Sequence, residues 1–149
     1  MKFGALLAIS IVVACAHAPK PGPRLGEAMW EAGWRFQRAG QAARAGRWEL
    51  AKYDLHELDE VFRDDIARAP HDEKIDVHKL AREFAAVQLP AMRAAVDAHD
   101  MPAFSTAIVA AAKSCNDCHK LVDKPFIEVP LEAGAEVPSL APITATATR

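Results

Sequence analysis

The sequence predicts an all-α fold: an antiparallel up-down-up-down four-helix bundle followed by an irregular C-terminal tail. Three observations predict it. Apolar residues recur at helical spacing in four stretches of about 20 residues each. Two of the three connections between those stretches are very short, which forces neighbouring helices to run antiparallel. No alternating apolar–polar run appears, and Val and Ile are thinly spread, so there is no strand signal.

The first helix is predicted over 24–44, with Leu25, Met29, Ala32, Phe36, Ala39 and Ala43 on one face. Trp30 and Trp34 sit one turn apart beside that face. With Phe36 and Phe62 they read first as core. Ala45 and Gly46 break the helix. The second helix, over 47–68, has the face Ala51, Leu55, Leu58, Phe62 and Ile66. Residues 69–76, "APHDEKID", form a polar, Pro-containing loop. The third helix, over 77–99, turns Leu80, Phe84, Val87, Ala91 and Ala95 inward, and Pro90 is expected to kink or split it. Asp100 can cap the fourth helix, and Pro102 fits its first turn. That helix, over 101–122, puts Phe104, Ile108, Ala111, Cys115, Cys118 and Val122 on one side. The last 27 residues, from Asp123, are rich in Pro, Ala and Thr and lack helical period. Their "FIEVP" stretch, 126–130, is expected to drape over the bundle, with the remainder disordered.

The N-terminus reads as an export signal. Lys2 supplies a charged start, and Phe3 to Ala14 form an apolar run too short for a permanent membrane span. "VVAC", Val12 to Cys15, resembles the bacterial lipobox, in which the cysteine is lipidated. The rival is ordinary cleavage after Ala16 to Ala18, which would leave Pro19 at the cut. The expected organisation is a lipoprotein-type signal peptide (1–14), a Pro/Gly linker (15–23) that tethers a domain to lipidated Cys15, the helical domain (24–122) and the tail (123–149). Removing 14 of 149 residues leaves 135, enough for one core. The formal charge is −2, and Lys and Arg are scattered, which leaves no nucleic-acid footprint. Export to the periplasmic face, with a mild preference for the outer membrane from Ala16, follows from the same reading.

Chemistry concentrates in "SCNDCHK", 114–120, which holds two of the three cysteines. Cys-x-x-Cys-His reads as a c-type haem attachment site. Each thiol adds across one haem vinyl group, and the following histidine ligates the iron. On a helix Cys115, Cys118 and His119 fall at i, i+3 and i+4, so they share one face. Three other readings compete. A structural zinc site wants four ligands, and there is no second Cys-x-x-Cys. A thioredoxin-like dithiol wants a βαβ context. An inert disulfide needs no histidine. Export supports haem, because covalent attachment in bacteria takes place outside the inner membrane.

A haem motif near the end of a four-helix bundle resembles the class II c-type cytochromes, cytochrome c′ and its low-spin relatives. "CHKLVDKP" carries Lys120 and Lys124 where those proteins often have an arginine. The resemblance implies one covalent haem c, thioether bonds at Cys115 and Cys118, His119 as proximal ligand, and homodimers formed through the first two helices.

The sixth iron position decides function. Bundle topology puts the start of the first helix beside the haem end of the fourth, and Met29 lies there on the inward stripe. A thioether opposite histidine is a known haem ligand that raises the potential. In the low-spin relatives an early methionine has this role, and Met29 matches it by position. Met29 as core packing is the bland alternative. His71 and His78, in and beside the 69–76 loop, are the alternative ligands. His56, His99, Met92 and Met101 lie at other levels. Trp30 and Phe62 are candidates for the haem wall. Glu57, Asp59 and Glu60 read as a solvated face before a docking patch for a basic redox partner. No carboxylate pair, Ser/His/Asp set or phosphate loop appears, so no separate catalytic apparatus is expected. The reading is a monohaem one-electron carrier whose redox partner the sequence does not name. The alternatives are a five-coordinate NO/CO-binding protein and a haem-free metal or structural lipoprotein.

Overall fold

The computed structural model describes residues 22–71 and 74–131. The predicted leader, Cys15, most of the linker and the tail beyond 131 lie outside the described residues. Four helices dominate: α1 (Leu25–Arg44), α2 (Trp48–Glu60), α3 (Val77–Asp97) and α4 (Met101–Leu121). A π-helical turn (Val61–Asp65) and a last α turn (Ile66–Arg68) carry α2 onward. Among the described residues there is no strand, and no helix is long and apolar enough to cross a membrane. α1 packs on α2, α2 on α3, and α3 on α4.

Local chemistry sets the helix ends. Asp76 and Asp100 cap α3 and α4, accepting from the N–H groups of Lys79 (2.8 Å) and Ala103 (2.9 Å). Three helices end in the same left-handed device. After α1 it is Gly46 (φ 70°), after α3 His99 (φ 53°) and after α4 Asp123 (φ 58°). In each, the next residue's N–H reaches back five positions: Arg47 to Ala42, Asp100 to Ala95, Lys124 to His119. This is the Schellman motif, which satisfies carbonyls that a helix end leaves open. Trp48 stacks on His99 at 5.2 Å, so the α1–α2 and α3–α4 turns meet.

The core follows the predicted faces of α1, α2 and α4. Ala51, Leu55, Leu58, Phe62 and Ile66 are all buried, as are Phe104, Ile108 and Ala111. α3 differs. Phe84 and Ala95 are buried as predicted, but the rest of its core face is Val77, Ala81, Ala85, Leu89, Met92 and Val96, while Leu80 is half-buried and Val87 and Ala91 are exposed. Pro90 does not split α3. It lies on the exposed side, where water can replace the backbone hydrogen bond it cannot donate.

The two early tryptophans are not core. Trp30 is 68% exposed and Trp34 39%. The buried positions of α1 are chiefly Ala28, Ala32, Ala39, Gly40, Ala42 and Ala43, which bring α2 close and leave no space for an indole. Trp34 instead lies under the Arg38 guanidinium, 4.1 Å from ring centroid to carbon. Arg38 Nε also donates to Asp54 at 2.7 Å, and Arg35 reaches the same carboxylate at 3.3 Å. Asp54 is fully buried, so this pair of arginines ties α1 to α2 through one carboxylate. Most of the acidic run pairs within the protein, Glu57 with Arg35 and Asp59 with Arg63 and Arg93, while Glu60 is exposed with its carboxylate 3.4 Å from His56 Nε2.

Candidate functional site

A cavity of about 460 Å³ lies between α3 and α4, inside the roughly 300–1,000 Å³ range of small-molecule and cofactor sites. α4 contributes Ala110, Lys113, Ser114, Cys115, Asp117, Cys118, His119 and Leu121. α3 contributes Val77, Leu80, Ala81, Glu83, Phe84, Val87 and Gln88. Met29 of α1 and Phe62 of the π turn complete the apolar lining. Phe62 and Phe84 stack with centroids 4.3 Å apart. A π turn widens a helix locally and is common at functional sites. Here it carries the aromatic ring that lines the cavity.

Cys115, Cys118 and His119 line the cavity together, as their spacing on one helical face requires. Both thiols are free and partly buried. Burial, with the neighbouring Cys118, pushes the Cys115 thiol from 9.0 up to about 12, and burial raises Cys118 too. Neither is an activated thiolate at neutral pH, so the pair lacks the low pKa that a disulfide oxidoreductase uses.

His119 is held on two sides. Its backbone carbonyl accepts the Lys124 N–H at 2.8 Å in the α4 end motif. Its ring Nδ1 lies 2.8 Å from the Ile127 carbonyl oxygen. A carbonyl only accepts, so this contact places a proton on Nδ1, and in the neutral imidazole Nε2 then carries the lone pair. Ile127 is positioned by the chain that follows α4. Asp123 reverses direction, and Ile127 N–H donates to Lys124 at 3.0 Å. Val129 then bonds Asn116 twice: Val129 N–H to Oδ1 at 2.7 Å, and Asn116 Nδ2 to the Val129 carbonyl at 2.8 Å. The predicted "FIEVP" segment therefore does fold back, as a strap over the last turns of α4.

No protein-family model matches the chain, and comparison with curated proteins and with solved structures returns no match.

The remaining candidates divide by position. Met29 is half-buried, packs against the core and lines the cavity. Trp30 does not line it. Neither His71 nor His78 does either. Their rings lie 4.1 Å apart, and His78 Nε2 is 3.0 Å from the Ala69 carbonyl. With Asp76 they are the group of metal-ligating side chains among the described residues whose donor atoms converge within 4.8 Å. Cys115, Cys118 and His119 do not converge in that way, which disfavours a single zinc ion shared by the motif. Met92 is fully buried core, and His56 and His99 are exposed.

The donor set fits a covalent haem. Two thiols and one imidazole with its outer nitrogen already engaged share one wall. A thioether and two stacked phenylalanines lie on others, and the space between is mostly apolar. Sequence reasoning missed Val77 and Ala81, and it took Leu80 and Val87 for core; Phe84 is core as predicted and lines the cavity as well. The available signal was the stripe of Leu80, Phe84 and Val87 itself. At i, i+4 and i+7 it is partly offset from the face that α3 turns to the core.

Proposed function

We propose that the protein is an exported monohaem c-type cytochrome of the class II type, an antiparallel up-down-up-down bundle that carries single electrons. The observation that supports it best is one cavity lined by Cys115, Cys118, His119 and Met29. Two tight turns that meet through Trp48 and His99 support the antiparallel arrangement. Cys115 and Cys118 would tether the haem by thioether bonds, His119 would supply Nε2 to the iron, and Met29 would supply its sulfur as distal ligand. A bound haem c provides an iron that takes up and releases one electron. The protein's share is to tune that exchange. The Ile127 carbonyl makes His119 a stronger donor by polarising its Nδ1–H. Phe62, Phe84, Leu80 and Val77 exclude water and keep the local dielectric low. Anchoring through lipidated Cys15, preferably at the outer membrane, belongs to the same proposal, as does docking to a redox protein.

The optical spectrum tests it. The expected result is a red protein with sharp α and β bands when reduced, a far-red sulfur–iron band when oxidised, and no change with CO. A broad high-spin spectrum that shifts with CO would favour a gas-binding protein with an open sixth position. Met29→Ala is expected to convert the first spectrum into the second. A colourless protein would end the cytochrome reading.

A further inference from the structure

We propose that Asn116, the first variable residue of the Cys-x-x-Cys-His motif, is a positioning residue for His119 and acts through the strap at 127–129. The inference rests on the haem reading above for its consequence, though the geometry stands without it.

The side-chain amide of Asn116 is a two-point clamp. It accepts from Val129 N–H and donates to the Val129 carbonyl, at 2.7 and 2.8 Å. Only one orientation of the amide satisfies both bonds, so its flip state is determined. The strap needs this clamp because little else holds it. Phe126 is 79% exposed and Ile127 43%; only Val129 packs on the core. Pro125 and Pro130 bracket the segment and reduce the freedom it must lose. Two residues before the clamped Val129, the Ile127 carbonyl meets His119 Nδ1. The lever is therefore short: Asn116 fixes Val129, Val129 fixes the Ile127 carbonyl, and that carbonyl fixes the tautomer and rotation of the ring. Nε2 is left as the nitrogen available to an iron. A ligating histidine almost always gives its other N–H to such a partner, and loss of that partner commonly weakens ligation 10–100-fold. Here the partner is a backbone carbonyl from outside α4, and the motif's own second residue holds it in place.

The test compares the full chain, Asn116→Ala, and a chain ended after Pro125, each expressed with haem-attachment machinery. Two readouts are used: the ¹⁵N shifts of the His119 ring in haem-free protein, and the reduction potential of haem-loaded protein. The parent is expected to hold the proton on Nδ1. Asn116→Ala is expected to mix the two tautomers and to move the potential upward, because a less polarised imidazole stabilises Fe(III) less. The truncated chain is expected to show both effects more strongly. An unchanged tautomer in Asn116→Ala and in the truncated chain overturns the proposal, whether or not haem is bound. A parent protein that carries no haem, with the tautomer change still seen in Asn116→Ala, overturns the cytochrome reading alone. A helix that merely loses stability would leave both readouts in place.

Discussion

The rings of Phe62 and Phe84 stack 4.3 Å apart at an interplanar angle of 18°, one from the π turn after α2 and one from α3. Both also line the cavity, so the same contact closes the core and forms the site wall. Phe84→Ala removes a ring that is only 6% exposed. Phe→Ala in a core costs about 3–5 kcal/mol, and one face of this ring adjoins a cavity, so about 3 kcal/mol is expected. Phe84→Leu keeps most of the volume and should cost under about 1.5 kcal/mol. Urea unfolding of the haem-free chain checks both. Equal losses in the two variants would show that the aromatic stack, rather than the filled volume, carries the stabilisation.

The Asp54 cluster predicts an asymmetry. Asp54→Asn keeps the shape and loses charge-assisted bonds to Arg35 and Arg38. Such bonds are worth about 1.5–3 kcal/mol, which sets the expected loss. Replacing both arginines by methionine leaves a fully buried carboxylate without cations. Breaking a buried pair from that side typically costs about 3–5 kcal/mol. The double arginine variant should therefore unfold at lower urea than Asp54→Asn. The reverse order would mean that Arg35 and Arg38 act mainly by covering Trp34.

How much of this was legible beforehand depends on the range of the physics involved. The faces of α1, α2 and α4 follow from periodicity, because one helix alone decides which residues share a side. That Cys115, Cys118 and His119 face one cavity was legible for the same reason. That Met29 lines the same cavity needed only topology in addition. The phase of α3 was legible only in part: Phe84 and Ala95 are core as their spacing suggests, but Leu80 and Val87 continue that stripe onto the cavity beside α4. Trp30 and Trp34 misled because hydrophobicity says nothing of volume, and alanines already fill the α1–α2 contact. The clamp of Asn116 on Val129 joins residues 13 apart through a loop, which no periodic pattern encodes.

The left-handed residue after α4 gives a prediction that separates backbone strain from packing. Asp123 has φ 58°, a region that Gly adopts freely, Asp tolerates and β-branched residues resist. Asp123→Val should destabilise the chain by about 1–2 kcal/mol. Asp123→Gly should be close to neutral, since relief of strain is offset by a freer unfolded chain. Because Asp123 starts the strap, Asp123→Val should also speed proteolysis at 124–131 in limited digestion, and Asp123→Gly should not. Equal digestion rates would show that the strap is set by Asn116 without help from the turn.

The buried thiol gives a pH dependence whose sign can be worked out. In the folded, haem-free chain burial raises the Cys115 thiol from 9.0 to about 12. The unfolded chain therefore loses that proton first, and the folded state binds more protons between those two values. Stability falls with pH wherever the folded state holds the extra proton. The contribution is fully present below pH 9 and is lost as pH rises toward about 12. Other groups titrate in the same window, so the measurement is a difference: urea midpoints of the haem-free parent and of Cys115→Ala, followed from pH 7 to 11. The parent should lose stability more steeply above pH 9. The same burial should make Cys115 slower to alkylate than Cys118 at pH 8, since Cys118 is raised to a lesser degree. Parallel pH profiles, together with equal alkylation rates, would place the Cys115 thiol in water rather than in the wall of the cavity.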